Sequence, residues 1–396
     1  MLLKNWAYVL LLVFIIGALT REPWPVAFSM AAAVVFFITA YWRRHALDRI
    51  TYRRKWTYRR GFPGEHLSVQ IEIANQKLLP VSWVRVTDSW PTDIGPTDEA
   101  ILSPSHIEAT GELINLYSLR WYQRVERIYE LSLRKRGLYQ IGPAVIKSGD
   151  LFGMEETYLK DEKPDTVVVF PEMLPMSSFP LPTQDPFGFM RSQKRLFEDP
   201  TQTMSIRPYQ PEDGFRRIHW PATARTGELQ VKVFQPISAR VMMICLNAST
   251  QAQFWLGIDQ DRLEYLIKIT ATLAYQGIMD GYSVGLLSNG CLAHSDRPFH
   301  LPPGRSTDHL ATLLGSLAAA TSFTLASFET FLIQSMPKIP YGASLLVVTA
   351  LVSPELSAGL LRLKRYRDRI TLLSIAPQPL PEIPGVRAIQ MEYPGG

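Results

Sequence analysis

Cysteine is scarce in this sequence of 396 residues, which has only Cys245 and Cys291. No C-x-x-C pair occurs, so neither a disulfide framework nor a cysteine zinc site can be built. A reducing compartment is therefore expected for most of the chain.

The common nucleotide and zinc-protease motifs are also missing. There is no G-x-G-x-x-G, no Walker A motif and no H-E-x-x-H, which leaves dinucleotide binding, P-loop hydrolysis and zincin chemistry without their usual signatures. Charged residues make up 19% and hydrophobic residues 46%, a composition that excludes a mainly disordered chain and favours membrane segments. The length predicts about two to three domains.

Positive charge is concentrated in one short stretch. The net charge is +5, yet residues 43–60 hold eight Lys/Arg against Asp48, so the rest of the chain is slightly acidic. A nucleic-acid binder usually spreads its basic face over folded domains, so we expect no nucleic-acid partner. An RNA-binding arm with interleaved aromatics remains the alternative for this run.

Two apolar segments, 1–20 and 23–42, precede the basic run. Each is long enough for a helix that crosses the hydrocarbon core, and Lys/Arg favour the cytoplasmic side. We therefore predict a transmembrane hairpin with a basic juxtamembrane run over 1–55, in contact with a lipid bilayer, with the soluble domains in the cytoplasm. A cleaved signal peptide is the alternative for the first segment. Interfacial positions are predicted for the flanking aromatics Trp6, Trp24, Tyr41, Trp42, Tyr52 and Trp56.

The remainder changes character twice. Alternating apolar residues, as in 67–73 and 129–133, predict an all-β sandwich-like domain over 56–170. Prolines then predict a stiff connector over 171–200. The third region, 201–396, alternates apolar strands (241–246, 282–287, 344–349, 370–375) with helical stripes, which is typical of an α/β doubly wound sheet.

One catalytic motif occurs formally. Residues 281–285 read G-x-S-x-G around Ser283, followed by Asp296 and then His300 or His309. A nucleophile elbow needs strand before helix, whereas here the predicted helix comes first. A serine hydrolase stays an alternative hypothesis only. A metal site built from His294, Asp296 and His300 is likewise an alternative to a solvated loop.

The segment 208–236 mixes aromatic and charged residues immediately before the α/β strands. Trp and Arg are typical of docking faces, so Asp213, Arg216, Trp220 and Arg225 are the candidate partner-binding residues. The alternative is a loop that clamps one domain to another, with Asp213 and Arg225 in an internal ion-pair network. Both interpretations stay open.

Residues 213–225, DGFRRIHWPATAR, resemble the signature of a bacterial domain-of-unknown-function family, number fifty-eight, except that Glu212 replaces the usual motif glycine. Residues 136–139 (RGLY) and 149–153 (GDLFG) agree with the same family. The resemblance implies a bacterial inner (plasma) membrane as the location and a C-terminal von Willebrand factor A-like domain. It also implies a non-enzymatic, membrane-anchored adaptor or scaffold that binds a protein partner such as a MoxR-type AAA+ ATPase during protein assembly or maturation.

Von Willebrand A domains can hold Mg²⁺ through Asp-x-Ser-x-Ser after their first strand. The corresponding positions here are Asn247, Ser249 and Gln251. Since Mg²⁺ prefers carboxylate and water oxygens, we expect these degenerate positions to bind no metal and the protein to use no cofactor. A metal-dependent ligand-binding A domain is the remaining alternative.

Overall fold

The computed structural model describes residues 2–21, 23–149, 156–161, 163–179, 198–211, 213–236, 241–251, 257–293, 295–340, 342–365, 367 and 369–394. The chain forms two compact units, Met1–Phe170 and Pro171–Gly396. It is therefore a multidomain protein, with β-sheets in both units.

The first unit begins with two apolar helices, α1 (Leu2–Thr20) and α2 (Pro23–His45). The segment Pro23–Trp42 of α2 has 20 residues, a mean hydropathy of 1.7 and only 6% burial, whereas the apolar part of α1, Tyr8–Thr20, is shorter. Among the described residues, α2 is thus the helix long and apolar enough to be a membrane anchor or a signal sequence.

The strands of the first unit follow in one run. Their bounds are β1 (Ile50–Trp56), β2 (Arg60–Gly61), β3 (His66–Asn75), β4 (Val81–Pro91), β5 (Leu102–Pro104), β6 (Thr110–Leu119), β7 (Arg124–Ser132), β8 (Gly137–Ile141), β9 (Ala144–Gly149), β10 (Glu156–Asp161) and β11 (Asp165–Val169). They pair as three sheets, in the orders β1-β3-β7, β10-β9-β4-β6-β5 and β2-β11-β8. All pairs are antiparallel except β2 with β11.

One hydrophobic core joins these sheets. Its buried side chains include Ile71 and Ile73 of β3, Trp90 of β4 and Leu113 of β6. Because alternate residues of each strand point inward, the apolar alternation over 67–73 correctly predicted a strand with one buried face. The β-rich character expected for this part of the chain is confirmed.

The basic run is divided between helix and sheet, contrary to the predicted juxtamembrane segment within 1–55. Ile50–Trp56 is β1, and its Arg54 side chain is only 2% exposed. Tyr52 is buried and Trp56 packs against the same core, so their prediction as interfacial anchors was wrong. The reason is the twofold periodicity of a strand, which turns Tyr52, Arg54 and Trp56 inward together.

The second unit begins with an antiparallel hairpin and continues as an α/β sheet. Its elements are β12 (Glu198–Pro208), α3 (Trp220–Thr226), β13 (Gln230–Pro236), β14 (Val241–Leu246), α4 (Gln260–Met279), β15 (Ser283–Leu292), β16 (Ser295–Gly304), α5 (Thr307–Ala318), β17 (Ala320–Thr324), α6 (Phe328–Ser335), β18 (Ser344–Thr349), α7 (Pro354–Lys364), β19 (Ile370–Ser374) and β20 (Arg387–Gln390). The predicted connector 171–200 overlaps this unit, since 198–200 already belong to β12. The rest of that connector from 180 lies outside the described residues.

The main sheet has the order β16-β15-β14-β18-β19-β20, and β17 also pairs with β15. The strands β15, β14, β18, β19 and β20 run parallel, whereas β16 and β17 are antiparallel to β15. Since β14 and β18 are neighbours whose chains continue to opposite sides, the sheet has its topological switch point at their carboxyl ends.

The sequence pattern located four of the seven strands of this sheet, β14, β15, β18 and β19. The bounds predicted for β14 and β18 are those observed, because each is a continuous apolar run covered on both faces. The predicted start of α7 is confirmed as well: Ser353 is the N-cap, and its hydroxyl accepts a hydrogen bond from the Leu356 backbone N–H at 3.0 Å.

Candidate functional site

The motif segment connects the two strands of the β12–β13 hairpin. It contains a single 3-10 turn at Phe215–Arg217 and then the short helix α3. Ile218 bridges to Val231 of β13, and both side chains are buried. The motif segment is thus attached to its own hairpin by backbone pairing and by the buried side chains of Ile218 and Val231.

Asp213 lies just before the 3-10 turn, and its backbone N–H donates to the Gln210 carbonyl oxygen at 2.9 Å. Its two carboxylate oxygens accept hydrogen bonds from the Arg207 guanidinium at 2.6 and 2.7 Å, and Oδ2 accepts another from the Gln210 backbone N–H at 2.9 Å. These contacts, chiefly the one with Arg207, lower the pKa of Asp213. The clamp interpretation predicts an ion pair between Asp213 and Arg225, but the observed partner is Arg207, and the Asp213 side chain is 8% exposed.

Capping interactions complete α3. The His219 Nδ1 accepts a hydrogen bond from the Ala222 backbone N–H at 3.0 Å, while Thr223 Oγ1 accepts one from the Gln230 backbone N–H at 3.0 Å. At the other end, Gly227 has a φ of 74° and ends the helix in the left-handed conformation. The local fold therefore satisfies its polar groups without help from Trp220 or Arg225.

The remaining predicted docking residues face solvent. Trp220 is 65% exposed and Phe215 is 76% exposed, with the Phe215 ring 6.3 Å from that of Tyr209. Arg225 is exposed in the last turn of α3. Glu212 and the side chain of Arg216 lie outside the described part of the molecule. The hairpin thus separates a structural acid, Asp213, from an exposed aromatic and cationic surface.

A second group of polar side chains lies at the switch point of the sheet. Asn247, directly after β14, donates from Nδ2 to Oγ1 of Thr349, the last residue of β18, at 3.0 Å. Its Oδ1 accepts from the Ser249 backbone N–H at 3.0 Å. Thr349 in turn donates to the Leu351 carbonyl oxygen at 2.7 Å. Neutral amide and hydroxyl groups therefore bridge the two strand ends.

Asn289 of β15 completes this group and was not predicted from the sequence. Its Oδ1 accepts from the Ala248 backbone N–H at 2.9 Å, and its Nδ2 donates to Ser249 Oγ at 3.1 Å and to the Ala326 carbonyl oxygen at 3.3 Å. Asn289 is fully buried. The signal was a polar Ser-Asn pair, 288–289, interrupting an otherwise apolar strand.

The side chains of Asn247, Ser249 and Gln251 do not form a suitable ligand set for a divalent cation. The hydrogen bonds of Asn247 and Ser249 described above are all with neutral groups, and Gln251 is only partly exposed. Mg²⁺ and Ca²⁺ sites normally include carboxylate oxygens. Among the residues that the structure describes, there is also no cluster of three or more His, Cys, Asp or Glu able to hold a metal.

The serine of the G-x-S-x-G motif does not lie at the carboxyl ends of the strands. Ser283 is the first residue of β15, after α4, and hence at the amino end of a parallel strand. His309 Nε2 donates to the Val284 carbonyl oxygen at 2.7 Å. His294 and the Asp296 side chain lie outside the described residues, while burial lowers the pKa of His300, assisted by Lys338.

The comparisons with known proteins identify a family rather than an activity. Residues 205–392 match the family described as protein of unknown function DUF58, which confirms the predicted resemblance over this part of the chain. The match begins within β12 and includes the rest of the motif hairpin as well as the whole α/β sheet.

One relative is the uncharacterized protein YeaD of Bacillus subtilis (strain 168), which is 22% identical over 228 residues. The alignment covers 57% of this chain and 52% of YeaD, so the chain spans about half the length of that relative.

Solved structures give weak similarities only. The CARDB domain of the Pyrococcus furiosus protein PF1109 has 11% identity and a TM-score of 0.21, over 30% of this chain and 91% of that one. Spo0M, a sporulation control protein of Bacillus subtilis, has 10% identity and a TM-score of 0.19, over 31% of this chain and 49% of that one. Such scores define neither the fold nor the function of this protein.

Proposed function

We propose that this protein is a membrane-anchored, non-enzymatic adaptor whose α/β unit is a von Willebrand factor A-like domain that binds a protein partner. The exposed surface of the motif hairpin carries the proposal. Trp220 and Phe215 are 65% and 76% exposed, although burying such side chains would be favourable by roughly 2–3 kcal/mol each. Aromatic residues and arginine are enriched at protein contact surfaces.

The sheet order supports an A-type domain. Numbered within the sheet along the chain, with β17 left aside, the strands have the order 3-2-1-4-5-6, and the third strand, β16, is the antiparallel edge. Ligands of such sheets bind at the carboxyl ends of the strands near the switch point. Because the site around Asn247 is closed by neutral hydrogen bonds, partner binding in this proposal is independent of metal.

The membrane anchor rests on the apolar helices. We propose that α1 and α2 cross the bilayer as a hairpin and that both soluble regions lie in the cytoplasm. The hydropathy of α2 and the arginines that follow it support this orientation.

Family kinship suggests the partner. A MoxR-type AAA+ ATPase engaged in protein assembly or maturation is the proposed binding protein, and the hairpin surface of Trp220, Arg225 and Phe215 is its proposed docking site. Arg216 belongs to the same proposal by its position in the motif. Asp213 does not face the partner in this proposal but holds the turn through Arg207.

The test is affinity purification of the detergent-solubilised full-length protein, with and without ATP, followed by mass spectrometry. We expect an AAA+ ATPase to co-purify with the wild type and to be lost from Trp220→Ala and Arg225→Ala. Since both residues are exposed, their melting temperatures should stay within about 1 °C of the wild type, corresponding to less than 0.5 kcal/mol.

Two exposed side chains of the same unit provide matched controls. Phe323 of β17 is 57% exposed, and Arg305 is exposed before α5. Phe323→Ala and Arg305→Ala should retain the ATPase. Equal loss from control and hairpin variants would refute the docking site, whereas absence of any ATPase from the wild type would refute the partner. A large fall in melting temperature for Trp220→Ala would instead favour the alternative interpretation, in which the motif segment is a structural loop that clamps one domain to another.

A further inference from the structure

Two loops of the first unit lie together at one end of its sheets. The Tyr122 backbone N–H donates to the Lys77 carbonyl oxygen at 3.2 Å. Asn75 Nδ2 donates to the carbonyl oxygens of Leu79 and Arg120, both at 2.9 Å. These bonds join the β3–β4 loop, 76–80, to the β6–β7 loop, 120–123, and together they are called the paired loops below.

The paired loops are attached to the end of α2. Lys77 Nζ donates to the backbone carbonyl oxygens of His45 and Ala46, and the Gln76 backbone N–H donates to that of Arg49. His45 is three residues after Trp42, where the apolar segment ends, or roughly 4.5 Å further along the helix axis. The loops therefore lie about one helical turn from the end of the apolar segment.

Large side chains of these loops project into solvent. Leu78 is 73% exposed, Trp121 is 64% exposed and Tyr122 is 63% exposed. Arg120 is exposed beside them, as is Arg49 on the neighbouring turn. Isolated exposed apolar residues are ordinary, but here three lie on two hydrogen-bonded loops with arginines alongside.

This combination matches the interfacial region of a bilayer. Trp and Tyr place an apolar ring and a polar group at the headgroup level, and Arg is attracted to anionic headgroups. We propose that the paired loops are a membrane-contacting surface, in which Leu78, Trp121 and Tyr122 enter the headgroup region of anionic lipid around the end of α2. The inference rests on the membrane anchor of the proposed function.

This surface takes the place of two of the interfacial anchors expected from the sequence. Tyr52 and Trp56 point into the core of the β unit, so they are unavailable to lipid. Three-point contact through the loops, in addition to α2, would fix the orientation of the β unit on the membrane rather than leave it tethered by a single chain.

The experiment uses the full-length protein in vesicles that contain phosphatidylglycerol, with single cysteines labelled by an environment-sensitive fluorophore. The native Cys245 and Cys291 are buried, so the unsubstituted chain serves as the labelling blank. Labels at Leu78→Cys and Trp121→Cys should be quenched by doxyl-labelled lipid and protected from aqueous iodide. A label at Ile107→Cys should show the reverse.

Ile107 is a matched control because it is 65% exposed and lies just before β6, whereas Trp121 lies just after it. The ten residues of β6 separate the two ends by about 30 Å. A further label at Val34→Cys within α2 reports on the anchor itself.

The outcomes are distinguishable. Quenching by lipid at 34, 78 and 121 but not at 107 supports the inference. Quenching at 34 with iodide access at 78 and 121 overturns it and leaves the anchor standing. Labels at 78 and 121 that are shielded from both quenchers also overturn it, because protein rather than lipid would then cover the loops. Iodide access at 34 overturns anchor and inference together.

Discussion

Arg54 and Asp88 form a bidentate ion pair inside the β unit. Arg54 Nε donates to Asp88 Oδ2 at 2.7 Å and Nη2 donates to Oδ1 at 2.8 Å, with side-chain exposures of 2% and 1%. Tyr52 adds a hydroxyl bond to Oδ2 at 2.8 Å, and Asp165 accepts from Arg54 at 3.2 Å. The first strand after the apolar helices is thereby joined to β4.

Removal of one partner should be costly, because the other charge would remain buried. We expect Asp88→Ala to lower the local free energy of unfolding by about 3–5 kcal/mol. Lys135→Ala provides the control, since Lys135 is 76% exposed and its partner Asp93, just after β4, is 32% exposed, so this substitution should cost about 0–1 kcal/mol. Hydrogen exchange of peptides from β1 and β4 in the full-length protein measures both. Equal effects of the two variants would contradict a special role for the buried pair.

This pair also marks a limit of sequence analysis. In the sequence, Arg53, Arg54 and Lys55 are three consecutive cations, and hydropathy alone cannot separate them. The strand geometry does separate them, because Arg54 turns inward while its neighbours turn outward. The buried role of Arg54 depends on Asp88, which lies 34 residues away in sequence, so the basic run alone does not reveal it.

The α/β unit was more predictable than the motif hairpin. Continuous apolar runs and a capped helix start specify β14, β18 and α7 locally. The role of Asp213, by contrast, depends on a turn that returns the chain to Arg207, and no periodic pattern encodes that return. The motif located the segment, and the hydrogen bonds separate its structural residues from its exposed ones.

The pairing of Asp213 with Arg207 should be visible in the pH dependence of stability. Because the pKa of Asp213 is lowered in the folded protein, its contribution is complete above about pH 4, the usual range of an unpaired aspartate. It is lost as the pH falls through the lowered value. We therefore expect Asp213→Asn to melt below the wild type at pH 7, and the difference to shrink as the pH falls below the usual range of an aspartate.

Thermal unfolding of both proteins between pH 7 and pH 2.5 tests this difference. Glu228→Gln is the control, since Glu228 is exposed on the same hairpin and its replacement should shift the melting temperature little at any pH. A difference in melting temperature between wild type and Asp213→Asn that stays constant across the pH range would contradict this prediction. It would mean that the charge of the Asp213 carboxylate does not stabilise the turn.

Asn289 should contribute to stability through the groups it satisfies. Asn289→Ala would deprive the buried Ala248 N–H of its acceptor, and we expect a loss of about 1–3 kcal/mol. Gln390 also makes two amide hydrogen bonds to backbone carbonyls, but it is exposed. Gln390→Ala should therefore stay within about 0.5 kcal/mol of the wild type, as measured by calorimetry. Similar losses in the two variants would mean that burial at the switch point is unimportant.

Gly227 and Gly214 allow backbone conformation to be tested apart from packing. A Cβ added at either position would meet no atom within 4 Å, but Gly227 has a φ of 74° whereas Gly214 has a φ of −71°. A left-handed conformation costs an L-residue about 1–2 kcal/mol, so Gly227→Ala should destabilise the hairpin by about that amount. Gly214→Ala should be neutral or stabilising by up to about 1 kcal/mol, because it restricts the unfolded chain. Hydrogen exchange at α3 measures the difference, and equal protection in both variants would show that the end of α3 tolerates another conformation.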